Sequence, residues 1–131
     1  MSDHAPLIVT AALDDGAFDW FEGLRQSHFP PHRNKVPAHL TLFHALPGEH
    51  ERFVVETLKT ACQRRHPIAL DVRGPWFLGL GVAYRLASLE LEQLRTELGQ
   101  TLSPWLTRQD QAPFRPHITI QNKAEPQEAR L

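Results

Sequence analysis

Alternating apolar and polar residues, together with an apolar run rich in β-branched residues near the N-terminus, predict five β-strands bounded by turn-forming residues. Apolar side chains recur at every second position where one face of a strand is buried and the other meets solvent. The predicted strands are Leu7–Leu13, about Val36–Leu46, Ile68–Arg73, Val82–Ala87 and Phe114–Lys123. Gly74-Pro75 follows the third strand and is typical of a turn.

Between the strands, apolar residues recur at spacings of three and four, which predicts amphipathic helices. Their apolar faces are Ala17, Trp20, Phe21 and Leu24 before Pro30; Phe53, Val54, Thr57, Leu58, Ala61 and Cys62 between about Glu49 and Arg65; and Leu91, Leu94, Leu98 and Leu102 between the Ser88 cap and Pro104. Residues 105–113 are predicted to be a connection, and residues 124–131 the start of a further helix. Helices joined to strands by short turns predict an α+β domain with two small sheets flanked by helices.

Length and charge narrow the classes of protein that this chain can represent. With 131 residues it is long enough to bury a core and too short to divide comfortably, so we expect a single domain over residues 1–131. The net charge of −1 argues against a protein that coats long nucleic acid, because such binding needs many phosphate contacts from a basic surface. A single nucleotide or an RNA end remains compatible with this charge.

Cysteine content and the N-terminal residues bear on the compartment. The only cysteine, Cys62, excludes an internal disulfide and is expected to be a buried, unreactive thiol. Leu7–Leu13 is too short to span a bilayer, and the first residues lack the positive charge of a secretory signal. These features predict a cytoplasmic protein that has no membrane partner.

Two short segments share one pattern of side chains, and we call them the first and second tetrad. They are His39-Leu40-Thr41-Leu42 and His117-Ile118-Thr119-Ile120, which both have the order His-aliphatic-Thr-aliphatic. Residues i and i+2 of a strand share a face, so each histidine lies beside its threonine while the aliphatic residues point into the core. One such tetrad is a weak signal, whereas its repetition 78 positions later is informative.

The same alternation extends the candidate site along the second tetrad strand. Arg115 and Lys123 have the parity of His117 and Thr119, so all four side chains are expected on one side of the strand. Two cations beside a histidine and a threonine are suited to bind an anion. The basic loop over residues 29–37, which precedes the first tetrad, is a weaker candidate for a phosphate contact.

Along the first tetrad strand, Phe43 has the parity of His39 and Thr41. Its ring is therefore a candidate for stacking on a base, with ordinary core packing as the alternative. His44 has the opposite parity, and we expect it to have a structural or surface role.

Paired imidazoles suit phosphoryl transfer, because an imidazole with its unperturbed pKa of about 6.5 exchanges protons near neutrality. On this hypothesis one of His39 and His117 deprotonates the attacking oxygen and the other protonates the leaving oxygen. The hydroxyls of Thr41 and Thr119 would bind the non-bridging phosphate oxygens. The arrangement needs no metal or cofactor, but both imidazoles must reach the same phosphate.

Eight histidines make a metal site the obvious competing hypothesis, yet their spacings do not support one. His39 and His44 point to opposite faces of a strand, and Pro30-Pro31 forbids the helix that would align His28 with His32. Serines at helix ends are explained by capping, and no motif supports a serine or cysteine nucleophile. We therefore predict no metal ligands.

With both tetrads, the chain resembles the 2H phosphoesterase superfamily, in particular its 2′-5′ RNA ligase-like and cyclic nucleotide phosphodiesterase-like members. The resemblance also includes the order of helices and strands between the tetrads, over about Leu7 to Lys123. It implies a two-lobed α+β fold, with two small antiparallel sheets flanked by helices and a central cleft that the histidines and threonines face. It further implies metal-independent opening of a cyclic phosphate, on an RNA end or a cyclic nucleotide, or the reverse 2′-5′ ligation.

The chain departs from the family pattern after the second tetrad, and the resemblance also implies roles for individual residues. Relatives commonly continue beyond the second tetrad with a helix and further strands; either these are dispensable here, or a second copy covers the exposed sheet edge. A monomer or a homodimer is therefore expected. The implied catalytic residues are His39, His117, Thr41 and Thr119, and the predicted substrate-binding residues are Arg115, Lys123 and Phe43.

Two other hypotheses stay open at this point. The first is a non-catalytic module that binds RNA ends or nucleotides with the same residues. The second is a structural domain in which the tetrads coincide by chance and their strands lie far apart.

Overall fold

The computed structural model describes residues 4–28, 37–63, 65–77 and 81–121. Within these ranges the fold is α+β, with two small antiparallel sheets and four helices, as predicted. The strands are β1 (Leu7–Ala11), β2 (Leu40–Leu46), β3 (Asp71–Phe77), β4 (Val82–Ala87) and β5 (His117–Gln121). The helices are α1 (Asp15–His28), α2 (Glu51–Cys62), α3 (Leu89–Thr101) and α4 (Arg108–Gln111), with short 3₁₀ turns at Gly48–His50 and Ser103–Trp105. No helix in this part of the chain has both the length and the apolar character needed to cross a bilayer.

The described residues group into two compact units. The first unit comprises residues 4–9, 42–63, 65–70 and 88–114, and it contains α2, α3 and α4. The second unit comprises residues 10–28, 37–41, 71–77, 81–87 and 115–121, and it contains α1 and the strands β3, β4 and β5. His39, Thr41, His117 and Thr119 all belong to the second unit.

β1 pairs with β2, while β3, β4 and β5 form a sheet in that order. The central strand β4 is antiparallel to both of its neighbours and has the predicted bounds. On β5, Ile118 and Ile120 are 0% and 5% exposed, as expected for the core side of the second tetrad. Burying side chains of this size contributes about 1.5–3 kcal/mol each to the hydrophobic stabilisation of the second unit.

The third strand differs from its prediction, because Gly74-Pro75 lies inside β3 instead of in a turn after it. The register shifts between Val72 and Gly74, and Gly74 has a φ of 103°, which glycine adopts without a steric penalty. β3 is an edge strand, where a proline without an N–H group is tolerated. With this bulge, β3 continues as far as Phe77 and includes Trp76, whose ring contacts His117 in the candidate site.

The predicted apolar faces of the helices are buried to different extents. The Ser88 side chain accepts a hydrogen bond from Leu91 N at 3.1 Å, and the predicted leucine face of α3 is buried. In α1, Phe21 is buried, but Trp20 is 50% exposed although we expected both in the core. α4 lies within the predicted connection, which was therefore wrong over residues 108–111.

Cys62 is exposed at the end of α2, so the prediction of a buried thiol was wrong. A residue that ends a helix leaves the buried face as the chain turns away, and the periodic pattern does not mark that point. Lys123, the predicted helix over 124–131 and the basic loop over 29–36 lie outside the described residues.

Candidate active site

Both tetrad histidines make the same hydrogen bond with Nδ1. His39 Nδ1 lies 2.8 Å from the carbonyl oxygen of Pro37, and His117 Nδ1 lies 2.8 Å from that of Arg115. A carbonyl oxygen can only accept, so Nδ1 carries the hydrogen in each ring. The second nitrogen, Nε2, is therefore the one left to exchange a proton with a ligand.

Proline near each histidine helps to hold the accepting carbonyl. Pro37 itself provides the acceptor for His39, and its ring restricts its own backbone torsion. Arg115 provides the acceptor for His117 and is followed by Pro116, which biases Arg115 toward an extended conformation. Both acceptors lie two residues before their histidine, so this arrangement is local and belongs to the sequence around each tetrad.

Helix α1 ties the two tetrad segments to one of its turns. Glu22 Oε2 accepts a hydrogen bond from the backbone N–H of Ala38 at 3.1 Å, next to His39. Arg25 Nη1 donates to the carbonyl oxygen of Thr119 at 2.7 Å, and Arg25 Nε lies 3.7 Å from Glu22 Oε1. One helical turn thus holds the backbone just before the first tetrad and the backbone of the second tetrad.

Arg25 is 3% exposed, and burying its charged guanidinium costs free energy unless partners compensate for the lost water. Burial lowers the pKa of its guanidinium, and the negative charge of Glu22 opposes that shift. A buried cation stabilises a fold only when it is paired and hydrogen-bonded, and Arg25 has both kinds of partner. The Glu22–Arg25 pair was not identified from the sequence, where only its spacing of three residues on α1 hinted at an interaction.

The register of β4 and β5 decides which residues accompany His117. Arg85 is opposite His117, Tyr84 opposite Ile118, and Ala83 opposite Thr119. Directly opposed residues share a face of the sheet. Arg85 and Ala83 therefore lie on the same side of the sheet as His117 and Thr119. Trp76 on β3 is opposite Ala83 and lies on this side too. We call this side of the sheet the histidine face.

The other face of this sheet packs against α1. Tyr84 contacts Trp20 and Phe21 with ring centroids 5.3 and 5.8 Å apart in edge-on arrangements. Trp20 and Phe21 contact each other at 4.8 Å. This aromatic cluster covers the Ile118 side of the sheet, so α1 leaves the histidine face uncovered.

Trp76 contacts the His117 ring from across the central strand. The ring centroids lie 5.7 Å apart and the ring planes meet at 88°. Trp76 is on β3 and His117 on β5, so the indole must pass over β4 at Ala83, a fully buried small residue. The His117 ring is thus held by a hydrogen bond at Nδ1 and by an aromatic contact.

The two tetrad threonines are half-buried. In the described part of the chain, neither hydroxyl takes part in a hydrogen bond. The backbone carbonyl of Thr119 is already used by Arg25, but its hydroxyl is not. Both hydroxyls are thus available as donors to a ligand.

Phe43 does not offer a ring face to a base. It is 0% exposed, and the guanidinium carbon of Arg95 lies 3.8 Å from its ring centroid. The alternation of burial along β2 ends at this point, because Leu42 and Phe43 are both buried. We therefore assign Phe43 to the core of the first unit, the alternative to stacking on a base.

The remaining predicted substrate-binding residues are Arg115 and Lys123. Arg115 has an exposed side chain just before β5, and its carbonyl oxygen is the acceptor for His117. Lys123 lies beyond the described residues.

His44 belongs to a separate cluster in the first unit. The carboxylate of Asp110 accepts hydrogen bonds from the backbone N–H of His44 at 2.9 Å and of Ala45 at 3.2 Å, and it lies 3.0 Å from His44 Nδ1. Arg95 Nε donates to the Leu42 carbonyl at 2.6 Å, and its Nη2 donates to the Asp110 carbonyl at 2.8 Å. These contacts agree with the structural role expected for His44.

Charge balance in this cluster shifts two pKa values. Burial raises the pKa of Asp110, but the N–H groups and the ring of His44, together with Ala45 N–H, outweigh that effect and leave it below its ordinary value. Burial lowers the pKa of Arg95, opposed by Asp110. Among the described residues no group of three or more His, Cys, Asp or Glu side chains is arranged to hold a metal ion.

Comparison with known proteins identifies a family for this chain. No curated protein and no solved structure matches the chain significantly. A family model described as the 2′-5′ RNA ligase superfamily matches residues 13–131, which include both tetrads. The chain belongs to the 2′-5′ RNA ligase superfamily, which is the 2H phosphoesterase superfamily that the two tetrads indicated.

Proposed function

We propose that the protein is a metal-independent phosphoesterase that opens a 2′,3′-cyclic phosphate, on an RNA end or a nucleotide, or catalyses the reverse 2′-5′ ligation. The observation that carries the proposal is the matched hydrogen bond at Nδ1 of His39 and His117. It leaves Nε2 of each ring for proton exchange, and α1 binds the backbone of Ala38, next to the first tetrad, and of Thr119 in the second. Membership of a family that is generally enzymatic supports the same conclusion.

In the hydrolytic direction, a neutral histidine takes a proton from water as the water oxygen bonds to phosphorus. The bond from phosphorus to one ribose oxygen breaks, and the protonated histidine gives its proton to that oxygen. Because Nδ1–H is bound to a neutral carbonyl in both rings, each histidine can hold or release the proton at Nε2 without losing this hydrogen bond.

Thr41 and Thr119 donate hydrogen bonds to the non-bridging phosphate oxygens in this proposal. Negative charge builds on those oxygens in the transition state, and fixed donors stabilise it without reorganising. General acid or base catalysis contributes roughly 10²- to 10⁴-fold for each histidine.

The direct test is hydrolysis of 2′,3′-cyclic nucleotides and of RNA with a 2′,3′-cyclic end, in the presence of EDTA. We expect turnover by the wild type and a bell-shaped dependence of kcat/KM on pH, since one histidine must be neutral and the other charged. His39→Ala and His117→Ala should each abolish most of the activity. His66→Ala removes an exposed histidine of the first unit and is the matched control.

Activity that survives both tetrad substitutions would contradict the proposal, as would a strict requirement for metal. Binding of nucleotides without turnover across the substrate panel would instead support a non-catalytic module that uses the same residues. Incubation of RNA ends bearing 2′,3′-cyclic phosphate and 5′-hydroxyl groups tests the ligation direction.

A further inference from the structure

Arg85 occupies the position directly opposite His117 in the sheet. The backbone N–H of Leu86 donates to the carbonyl of Pro116 at 3.0 Å, so the ladder hydrogen bond lies beside the Arg85–His117 pair and not within it. Opposed residues of this non-hydrogen-bonded kind have Cα atoms about 4.5 Å apart, with their side chains closer than in the alternate pairs. The side chains of Arg85 and His117 therefore leave the backbone as immediate neighbours.

The surroundings of Arg85 leave its guanidinium uncommitted. The side chain is exposed on the histidine face, and within the described part of the chain it makes no hydrogen bond or ion pair. On its other side the register partner is Gly74, where a Cβ would meet no atom within 4 Å. Four other arginines of the described ranges have side-chain partners: Arg25 with Glu22, Arg65 with Glu97, Arg73 with Asp71 and Arg95 with backbone carbonyls. The side chains of Arg52, Arg108 and Arg115 make no hydrogen bond or ion pair in these ranges either, so what distinguishes Arg85 is its place opposite His117.

An uncommitted arginine beside a proton-exchanging histidine has a specific chemical use. The planar guanidinium offers parallel N–H donors that match two non-bridging oxygens of a phosphate, which an ammonium group does not. A phosphate at Nε2 of His117 lies on the same face as this fork. Without such an anion, Arg85 has no counter-charge among its cross-strand neighbours Gly74 and His117.

We propose that Arg85 is a substrate-binding residue whose guanidinium binds the non-bridging oxygens of the phosphate that His117 acts upon. The proposal rests on the function proposed above and adds a residue that lies outside both tetrads. It also assigns the charge recognition to β4, the central strand, whose odd-numbered positions face the same side as His117.

The test compares Arg85→Ala, Arg85→Gln and Arg85→Lys with Arg73→Ala. Arg73 is the matched control, because it is an exposed arginine on the same sheet whose guanidinium is 3.8 Å from Asp71. Each variant is assayed for kcat/KM with a 2′,3′-cyclic nucleotide, and for the Kd of adenosine 2′- and 3′-monophosphate by calorimetry. We expect Arg85→Ala and Arg85→Gln to weaken both by roughly 10- to 100-fold, the usual range for a hydrogen bond to a charged group. Arg85→Lys should recover part of the loss, since it keeps the charge but not the fork.

The outcomes separate this proposal from the function on which it rests. Turnover by the wild type, with Arg85 variants that equal Arg73→Ala in both assays, overturns the role of Arg85 and leaves the function intact. Nucleotide binding that the Arg85 variants weaken, without wild-type turnover, supports Arg85 and overturns the enzymatic function. A wild type that neither binds nor turns over these nucleotides overturns both. Thermal unfolding identifies a misfolded variant. If Arg85→Ala fails to fold, the Gln and Lys variants decide between these outcomes.

Discussion

His44 in the first unit and His117 in the second unit each direct Nδ1 at an oxygen, but the oxygens differ in charge. The partner of His117 is the neutral carbonyl of Arg115, two residues away in sequence. The partner of His44 is the carboxylate of Asp110, which is 66 residues away and also accepts from two backbone N–H groups. The first contact orients a ring, and the second joins distant parts of the first unit.

Under the proposed function, the charge of the acceptor at Nδ1 separates a histidine that can exchange protons with a substrate from one that stabilises the fold. A neutral acceptor leaves Nε2 free to gain and lose a proton without disturbing other groups. A buried carboxylate shared with the backbone makes the histidine one member of a network that includes Arg95 and α4. An Asp–His pair is often taken as a sign of catalysis, yet here the backbone contacts of Asp110 indicate structure.

The largest difference expected between substitutions of His117 and of His44 is in catalysis. His117→Gln keeps a polar side chain but cannot exchange protons, so we expect turnover of a 2′,3′-cyclic nucleotide to fall by roughly 10²- to 10⁴-fold. His44→Gln should retain wild-type turnover, because the ring it removes is outside the second unit. Initial rates for both variants, measured on folded protein, check the contrast. Equal losses in the two variants would remove the distinction drawn here.

The next largest effect is on stability, and it is expected in the first unit, around Asp110, and not at the tetrads. Asp110→Ala leaves the backbone N–H groups of His44 and Ala45 without their acceptor, which should lower the free energy of unfolding by about 3 kcal/mol. Asp71→Ala is the control, since Asp71 is exposed and an exposed ion pair contributes about 0–1 kcal/mol. Urea denaturation of both variants measures the difference. A cost for Asp110→Ala no greater than that of the control would contradict a structural network.

A smaller effect is expected from the aromatic contact on His117. Edge-on aromatic pairs contribute about 0.5–1.5 kcal/mol, so Trp76→Leu should lower kcat by roughly two- to tenfold and leave KM nearly unchanged. Trp76→Phe should restore most of the rate if the ring acts by positioning His117. Trp105→Leu, which disturbs an aromatic contact in the first unit, is the matched control. A rise in KM at constant kcat would mean that Trp76 binds the substrate instead.

The smallest effect concerns the pH dependence of stability. The pKa of Asp110 in the folded chain lies below its ordinary value of 3.8, so its ionised form is favoured by folding. This contribution is fully present above the pKa of the unfolded chain and is lost as the pH falls through that value toward the folded pKa. Wild-type stability should therefore decline below about pH 4 more steeply than that of Asp110→Asn. Unfolding curves between neutral pH and pH 3 check this slope, and parallel curves for the two proteins would contradict it.

Much of the fold followed from local patterns in the sequence. The spacing of Val82, Tyr84 and Leu86 located β4, and the leucine spacing behind Ser88 located α3, because the period of each element is visible within one segment. The tetrads were equally visible, since a histidine and threonine two positions apart on a strand share a face by geometry alone. The family followed from the same residues.

Other features were decided only by tertiary structure. Phe43 has the parity of the site residues but is buried beneath Arg95, a residue 52 positions away whose approach no strand pattern encodes. The bulge at Gly74, which carries β3 on to Trp76, and the register that sets Arg85 opposite His117 depend on which strands pair and with what offset. Periodicity within a segment determines which side of that segment is buried. The identity of its neighbours, and therefore the residues that surround each histidine, is determined by contacts between segments far apart in the chain.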